Sequence, residues 1–201
     1  MIKSIDIKEV EEIIEKKIRK NAVCIGFDVA QNTTGCCILC TDKEKIYIKS
    51  LQVIKTEGKS DIIHKMEQFL NSIDKFKQEI KDSGFKIVVL EDSWLGNNPY
   101  CLKQLTRFST LLWMIFRKES DYIFFVLPNS ARAQIKFNKN KQLKESDIEV
   151  INFSKGKHKG KPKPISIKDL IDDYLKMTFG VDIEEENERD AFVLALCGLA
   201  Q

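Results

Sequence analysis

Apolar positions along the chain fall into two kinds of block. Some are short unbroken runs, and others are longer stretches with helical spacing. Residues 22–27 (AVCIGF) form an apolar run bounded by polar residues, the pattern of a buried strand. Asp28 follows at its end. Residues 31–35 (QNTTG) carry turn chemistry, and 36–39 are apolar again, so 22–39 predicts a β-hairpin. Residues 45–56 are rich in β-branched and aromatic side chains and predict a third antiparallel strand. Across 60–83, Ile62, Ile63, Met66, Phe69, Leu70, Ile73, Phe76 and Ile80 share one helical face, and Gly84 ends the helix. Residues 85–90 and 122–127 are short apolar runs suited to strands covered on both faces. Glu91 ends the first of them as Asp28 ends residues 22–27.

Helices account for most of the rest. Residues 99–119 carry a wide stripe of Leu102, Leu105, Phe108, Leu111, Leu112, Ile115 and Phe116, with Pro99 suited to the first turn. Residues 131–137 predict the start of a short helix bearing Arg132 and Lys136. Further helices are expected over 165–177, ended by Gly180, and over 186–199. Near the N-terminus, Ile2, Ile5, Val10, Ile13, Ile14 and Ile18 are spaced as in an amphipathic helix over 2–20, with Asp6 and Glu9 as a capping box. Residues 1–20 thus read as a helical extension of a main domain over 21–201. Between 138 and 163 the periodicity stops. Lys155, Lys157, Lys159, Lys161 and Lys163 alternate there with glycine, proline and other residues. Compact domains rarely carry so long an irregular stretch without a use for it. A solvated loop is one reading; contact with a phosphate backbone is the other.

Composition narrows the class. The 201 residues, 43% hydrophobic, are enough for one sizeable domain. No apolar run is long enough to span a membrane, and no signal segment opens the chain. The expected location is the cytoplasm, including a nucleoid or viral replication site, and not outside the cell. The six cysteines then read as reduced thiols. Cys36, Cys37 and Cys40 lack a second cysteine pair, and His64 and His158 are the only histidines, so structural zinc is not expected. Net charge is only +3, so partners must be read from where charge clusters.

A carboxylate at the end of an apolar strand is costly to bury unpaired, and a metal ion is one partner that offsets the cost. Gly26-Phe27-Asp28 followed by Thr34-Gly35 resembles the first motif of RuvC-type nucleases of the RNase H superfamily. Glu91 matches their second motif, and the Asp-Ala-hydrophobic run from Asp190 matches their C-terminal motif. The ordered set spans about residues 22–200. Actin-like phosphotransferases use a similar first Asp, but follow it with glycines where this chain has Val29 and Ala30.

The resemblance implies an α/β, RNase H-like fold. Its mixed central sheet would have three antiparallel strands then two parallel, flanked by helices. It implies metal ligation by Asp28, Glu91 and Asp190, with the position three residues before Asp190 as a fourth ligand. Asn187 stands there, and Glu186, one turn before Asp190, is the substitute. Hard oxygen donors of this kind suit Mg2+ or Mn2+. Two such ions, about 4 Å apart, support in-line phosphodiester hydrolysis. Trp94, three residues after Glu91, falls where these nucleases carry an aromatic wedge; stacking on an unpaired base is the matching chemistry, and an aromatic that covers the sheet edge is the other reading. Arg132, Lys136 and the five loop lysines would contact DNA. The expected protein is a homodimeric endonuclease cleaving branched DNA, especially a four-way (Holliday) junction. The rival readings are a catalytically weak nucleic-acid-binding module of the same fold and a small actin-like phosphotransferase.

Overall fold

The computed structural model describes residues 4–30, 32–57, 61–81, 83–92, 99–145 and 165–200. Trp94 and Lys155, Lys157, Lys159, Lys161 and Lys163 lie outside the described residues. One six-stranded sheet runs in the order β1 (Ser4–Asp6), β4 (Lys45–Lys55), β3 (Thr33–Thr41), β2 (Ala22–Asp28), β5 (Phe85–Glu91) and β6 (Tyr122–Val126). β2, β3 and β4 form an antiparallel meander, and β5 and β6 continue the sheet parallel to β2. The expected mixed sheet is therefore present, with one strand more.

The extra strand corrects the reading of residues 2–20 as one helix. Ser4–Asp6 pairs antiparallel with β4, Ile5 opposite Ile46. Helix α1 covers only Ile7–Ile14 and ends at Glu15, whose backbone is left-handed (φ 56°). Ile18 then bridges to Ala200. The spacing of Ile2 and Ile5 suits a helix, but the edge of β4 decides, because an open edge presents backbone groups that need partners. A second correction concerns 31–35. Thr33, Thr34 and Gly35 are already in β3, so the turn is shorter than its composition suggests.

Alternation along the strands divides the core. Val23, Ile25, Phe27, Val88 and Leu90 pack with α2 (Ile62–Ile80) and α3 (Pro99–Phe116). The Phe27 ring lies 6.4 Å from Phe76 and 5.6 Å from Phe116, joining both helices to the central strand. Cys24, Ile87 and Val89 belong to the opposite core, built with α1, α4 (Pro128–Gln134), α6 (Ile167–Phe179) and α7 (Glu186–Leu199). A short helix, α5 (Lys139–Glu145), packs beside α6. β2 is thus covered on both faces, as its unbroken apolar run requires. α7 is buried at every position from Ala191 to Leu199. A helix apolar all round belongs inside, and this one crosses the middle of the sheet.

Two glycines let it do so. A Cβ on Gly26 would lie 2.2 Å from the Ala191 carbonyl oxygen and 2.5 Å from the Ala195 nitrogen; one on Gly35 would lie 1.9 Å from the Asn187 carbonyl oxygen. The α7 backbone therefore rests directly on β2 and β3. Other ends follow local chemistry. Ser166 and Asp169 form a reciprocal capping box on α6, and Gly180 closes it at φ 64°. No helix among the described residues is long and apolar enough to cross a membrane.

Candidate active site

β2 and β5 are neighbours and parallel, with Phe27 in register with Leu90. Their last residues, Asp28 and Glu91, therefore emerge side by side at the same sheet edge. The contact of α7 with Gly26 and Gly35 brings the first turns of that helix over the same place. β6 ends beside Glu91 and leads through Leu127 into α4, which delivers Arg132 from the other side.

Three other carboxylates act on Asp28 here, Glu91 by a hydrogen bond and Asp190 and Glu186 through their charge. Burial first, then a hydrogen bond with Glu91, then the charges of Glu91, Asp190 and Glu186 push the Asp28 carboxyl up to about 10. At neutral pH it holds a proton beside Glu91. Glu91, Arg132 and Asp190 also line one small cavity of about 10 Å³, closed by Pro128, Ala131, Val193 and Leu194. That is room for about one water molecule.

Two of the carboxylates at the head of α7, Asp190 and Glu186, are already paired with cations. Arg132 donates from Nη2 to both Asp190 oxygens, at 2.8 and 3.1 Å, with both side chains largely buried. Lys168 of α6 forms an ion pair with Glu186. Asp28 and Glu91 have each other instead. The donor set fits a hard divalent cation: it is all oxygen, and the Asp28 carboxyl is buried among negative neighbours whose charge a dication would offset. Yet no group of three or more His, Cys, Asp or Glu side chains among the described residues stands ready to hold a metal. Asp190 is turned to Arg132, which leaves Asp28 and Glu91 as the adjacent carboxylate pair.

Asn187, expected as fourth ligand, has its backbone carbonyl packed over Gly35. Glu186, the substitute, faces Lys168. Lys136, expected on DNA, pairs with Glu15 and adopts a left-handed backbone (φ 64°).

Two positioning roles escape the sequence reading, one of them that of the motif residue Thr34. Thr34, buried in β3, donates from Oγ1 to the Ala30 carbonyl at 3.0 Å and accepts from its N–H at 3.3 Å, tying down the loop after Asp28. Lys65, only 2% exposed, donates to Asn32 Oδ1 at 2.7 Å and fastens the same loop to α2. Its signal was present: a lysine between Ile62 and Phe69 stands on the buried helical face, where a charge needs a dedicated partner.

No protein-family model matches the chain, and no curated protein sequence does. Solved structures do. RuvC from T. thermophilus in complex with a Holliday junction substrate superposes with a TM-score of 0.57 at 11% identity, over 87% of this chain and 91% of that one. Another Thermus thermophilus RuvC structure gives 0.52 at 12% identity, over 87% and 92%. The yeast mitochondrial Holliday junction resolvase Ydc2 gives 0.51 at 12% identity, over 94% and 84%. The likeness extends over most of each chain, and this chain has the α/β, RNase H-like fold of the RuvC structures.

Proposed function

We propose that this protein is a metal-dependent endonuclease that cleaves phosphodiester bonds in branched DNA, with a four-way junction as its preferred substrate. The observation that carries this reading is the meeting of Asp28, Glu91 and Asp190 at one sheet edge, on a fold whose neighbours include a RuvC bound to a Holliday junction. Mg2+ or Mn2+, held by Asp28 and Glu91 with Asp190, would supply water activation and charge neutralisation at the scissile phosphate. Ligation by Asp28 would require its carboxyl to release its proton to solvent. The buried walls of Val193 and Leu194 limit water beside the carboxylates and strengthen their pull on a cation. Asn187, and Glu186 if released by Lys168, are the assigned further ligands. Trp94 is assigned to stacking on unpaired bases, and Lys155, Lys157, Lys159, Lys161 and Lys163 to phosphate contact without regard to branching. The active species is a homodimer.

One observation favours a second reading, the binding module without catalysis: Asp190 and Glu186, two of the carboxylates at the head of α7, are occupied by basic side chains. A cleavage assay on junction, duplex and DNA–RNA hybrid in Mg2+, Mn2+ or chelator separates the two. The nuclease reading expects junction cleavage in either metal, none in chelator, and none from Asp28→Asn or Glu91→Gln, both of which still bind junction. Junction binding with no cleavage in any metal would establish the binding module and overturn the nuclease.

A further inference from the structure

The Arg132–Asp190 pair is poorly matched for a purely structural ion pair. A guanidinium meets a carboxylate most strongly with two parallel N–H donors. Here one nitrogen, Nη2, serves both oxygens, at 2.8 and 3.1 Å. Nε of the same side chain is buried and has no hydrogen-bond partner among the described residues. A buried guanidinium nitrogen left unsatisfied costs free energy that a better-formed pair would avoid. Arg132 also lines the small cavity shared with Glu91 and Asp190, where there is room for about one water and not for an ion beside the guanidinium. The side chain comes from α4, seven residues long, whose N-cap Leu127 makes no side-chain capping bond.

We propose that Arg132 is a built-in counter-cation. It occupies Asp190 in the metal-free protein, competes with the divalent ion for that carboxylate, and on release turns its guanidinium, including the unsatisfied Nε, to the substrate phosphate. This rests on the reading of Asp28, Glu91 and Asp190 as a metal site. It makes Arg132 a positioning residue in the resting protein and couples metal loading to phosphate binding. With a dication between Asp28 and Glu91, repulsion on the guanidinium rises, while the carboxylate gains a stronger partner. The displaced guanidinium keeps its charge and its fork of donors, and a phosphate offers the acceptors that Asp190 offered imperfectly.

The test needs no cleavage. Mn2+ binding is measured on the DNA-free protein by titration calorimetry and by loss of the free-ion spin resonance signal. Arg132→Met removes the competing charge at similar length and should bind Mn2+ about five- to a hundred-fold more tightly than wild type, the usual range of coupling between two ligands of one site. Arg132→Lys, which retains a charge, should fall between them and covers the case in which the Met variant fails to fold. Equal or weaker Mn2+ binding by whichever variant is folded would overturn the proposal and leave Arg132 as a structural partner of Asp190. Absence of Mn2+ binding in wild type and variants alike would overturn the metal site itself, a different failure. In a second measurement, junction affinity is compared in Ca2+ and in chelator. The proposal expects Ca2+ to strengthen binding by wild type more than by Arg132→Met. An equal gain in both would remove the phosphate half of the proposal.

Discussion

Asp28 is the residue on which solution conditions act most directly. Its carboxyl titrates near 10 in the folded protein, against about 4 in an unfolded chain. Between those values the folded state holds a proton that the unfolded chain has released. The stability this group contributes is fully present below about pH 4 and is lost as pH rises towards 10. In chelator, the melting temperature of wild type relative to Asp28→Asn should therefore fall from pH 5 to pH 8. The amide keeps a neutral hydrogen-bonding side chain at every pH, so at pH 8 the variant should melt higher, by roughly 2–4 °C for each kcal/mol relieved. Melting curves that stay parallel across this range would show that Asp28 carries no such burden. The same residue marks what a sequence reveals about a site. Asp28, Glu91 and Asp190 are legible because each bounds a largely apolar run, and a charge there must sit at the end of its element. The partner of Asp190 is not legible. Arg132 lies 58 residues away, and only the path of β6 into α4 brings the two together.

Among the elements, α7 decides whether the site assembles. It reaches β2 and β3 without intervening side chains, at Gly26 and Gly35. Gly26→Ala would place a methyl group against helix backbone, which cannot swing aside as a side-chain tip can. We expect a loss of about 1–3 kcal/mol, or more if the helix cannot shift, together with weakened Mn2+ binding, because Asp190 rides on the displaced helix. Gly180→Ala is the contrast. Nothing lies within 4 Å of its Cβ position, and its cost is the left-handed backbone alone (φ 64°), about 1 kcal/mol, with Mn2+ binding intact. Chemical denaturation and calorimetry on both variants check this, and equal loss of Mn2+ binding in the two would refute it. Most elements are legible because a buried strand and an amphipathic helix leave different periods. The extent of α7 is read from its apolar run, but its place across the sheet is not, since Gly26 and Gly35 look like motif and turn glycines until the helix is seen against them. β1 is missed because three residues are too few to show a period.

At the scale of the whole molecule, α3 turns Phe108, Leu112 and Phe116 inward and leaves Tyr100, Trp113 and Met114 outward, with Met114 60% exposed. The proposed homodimer would cover this outer face of α3. Sedimentation velocity at micromolar concentration should show a dimer that Met114→Glu converts to monomer; a monomeric wild type, with and without junction DNA, would remove the dimer from the proposed function. The close seating of α7 has a further consequence for how substitution tolerance is distributed over the fold. In a saturation library sorted only for folded protein, Gly26 and Gly35 should be among the least replaceable positions, while Asp28 accepts asparagine freely. In the same library sorted for cleavage, all three should appear equally fixed. Invariance at the two glycines would then record the clearance of a helix against a sheet, and only the difference between the two maps would single out Asp28 for the proposed metal role.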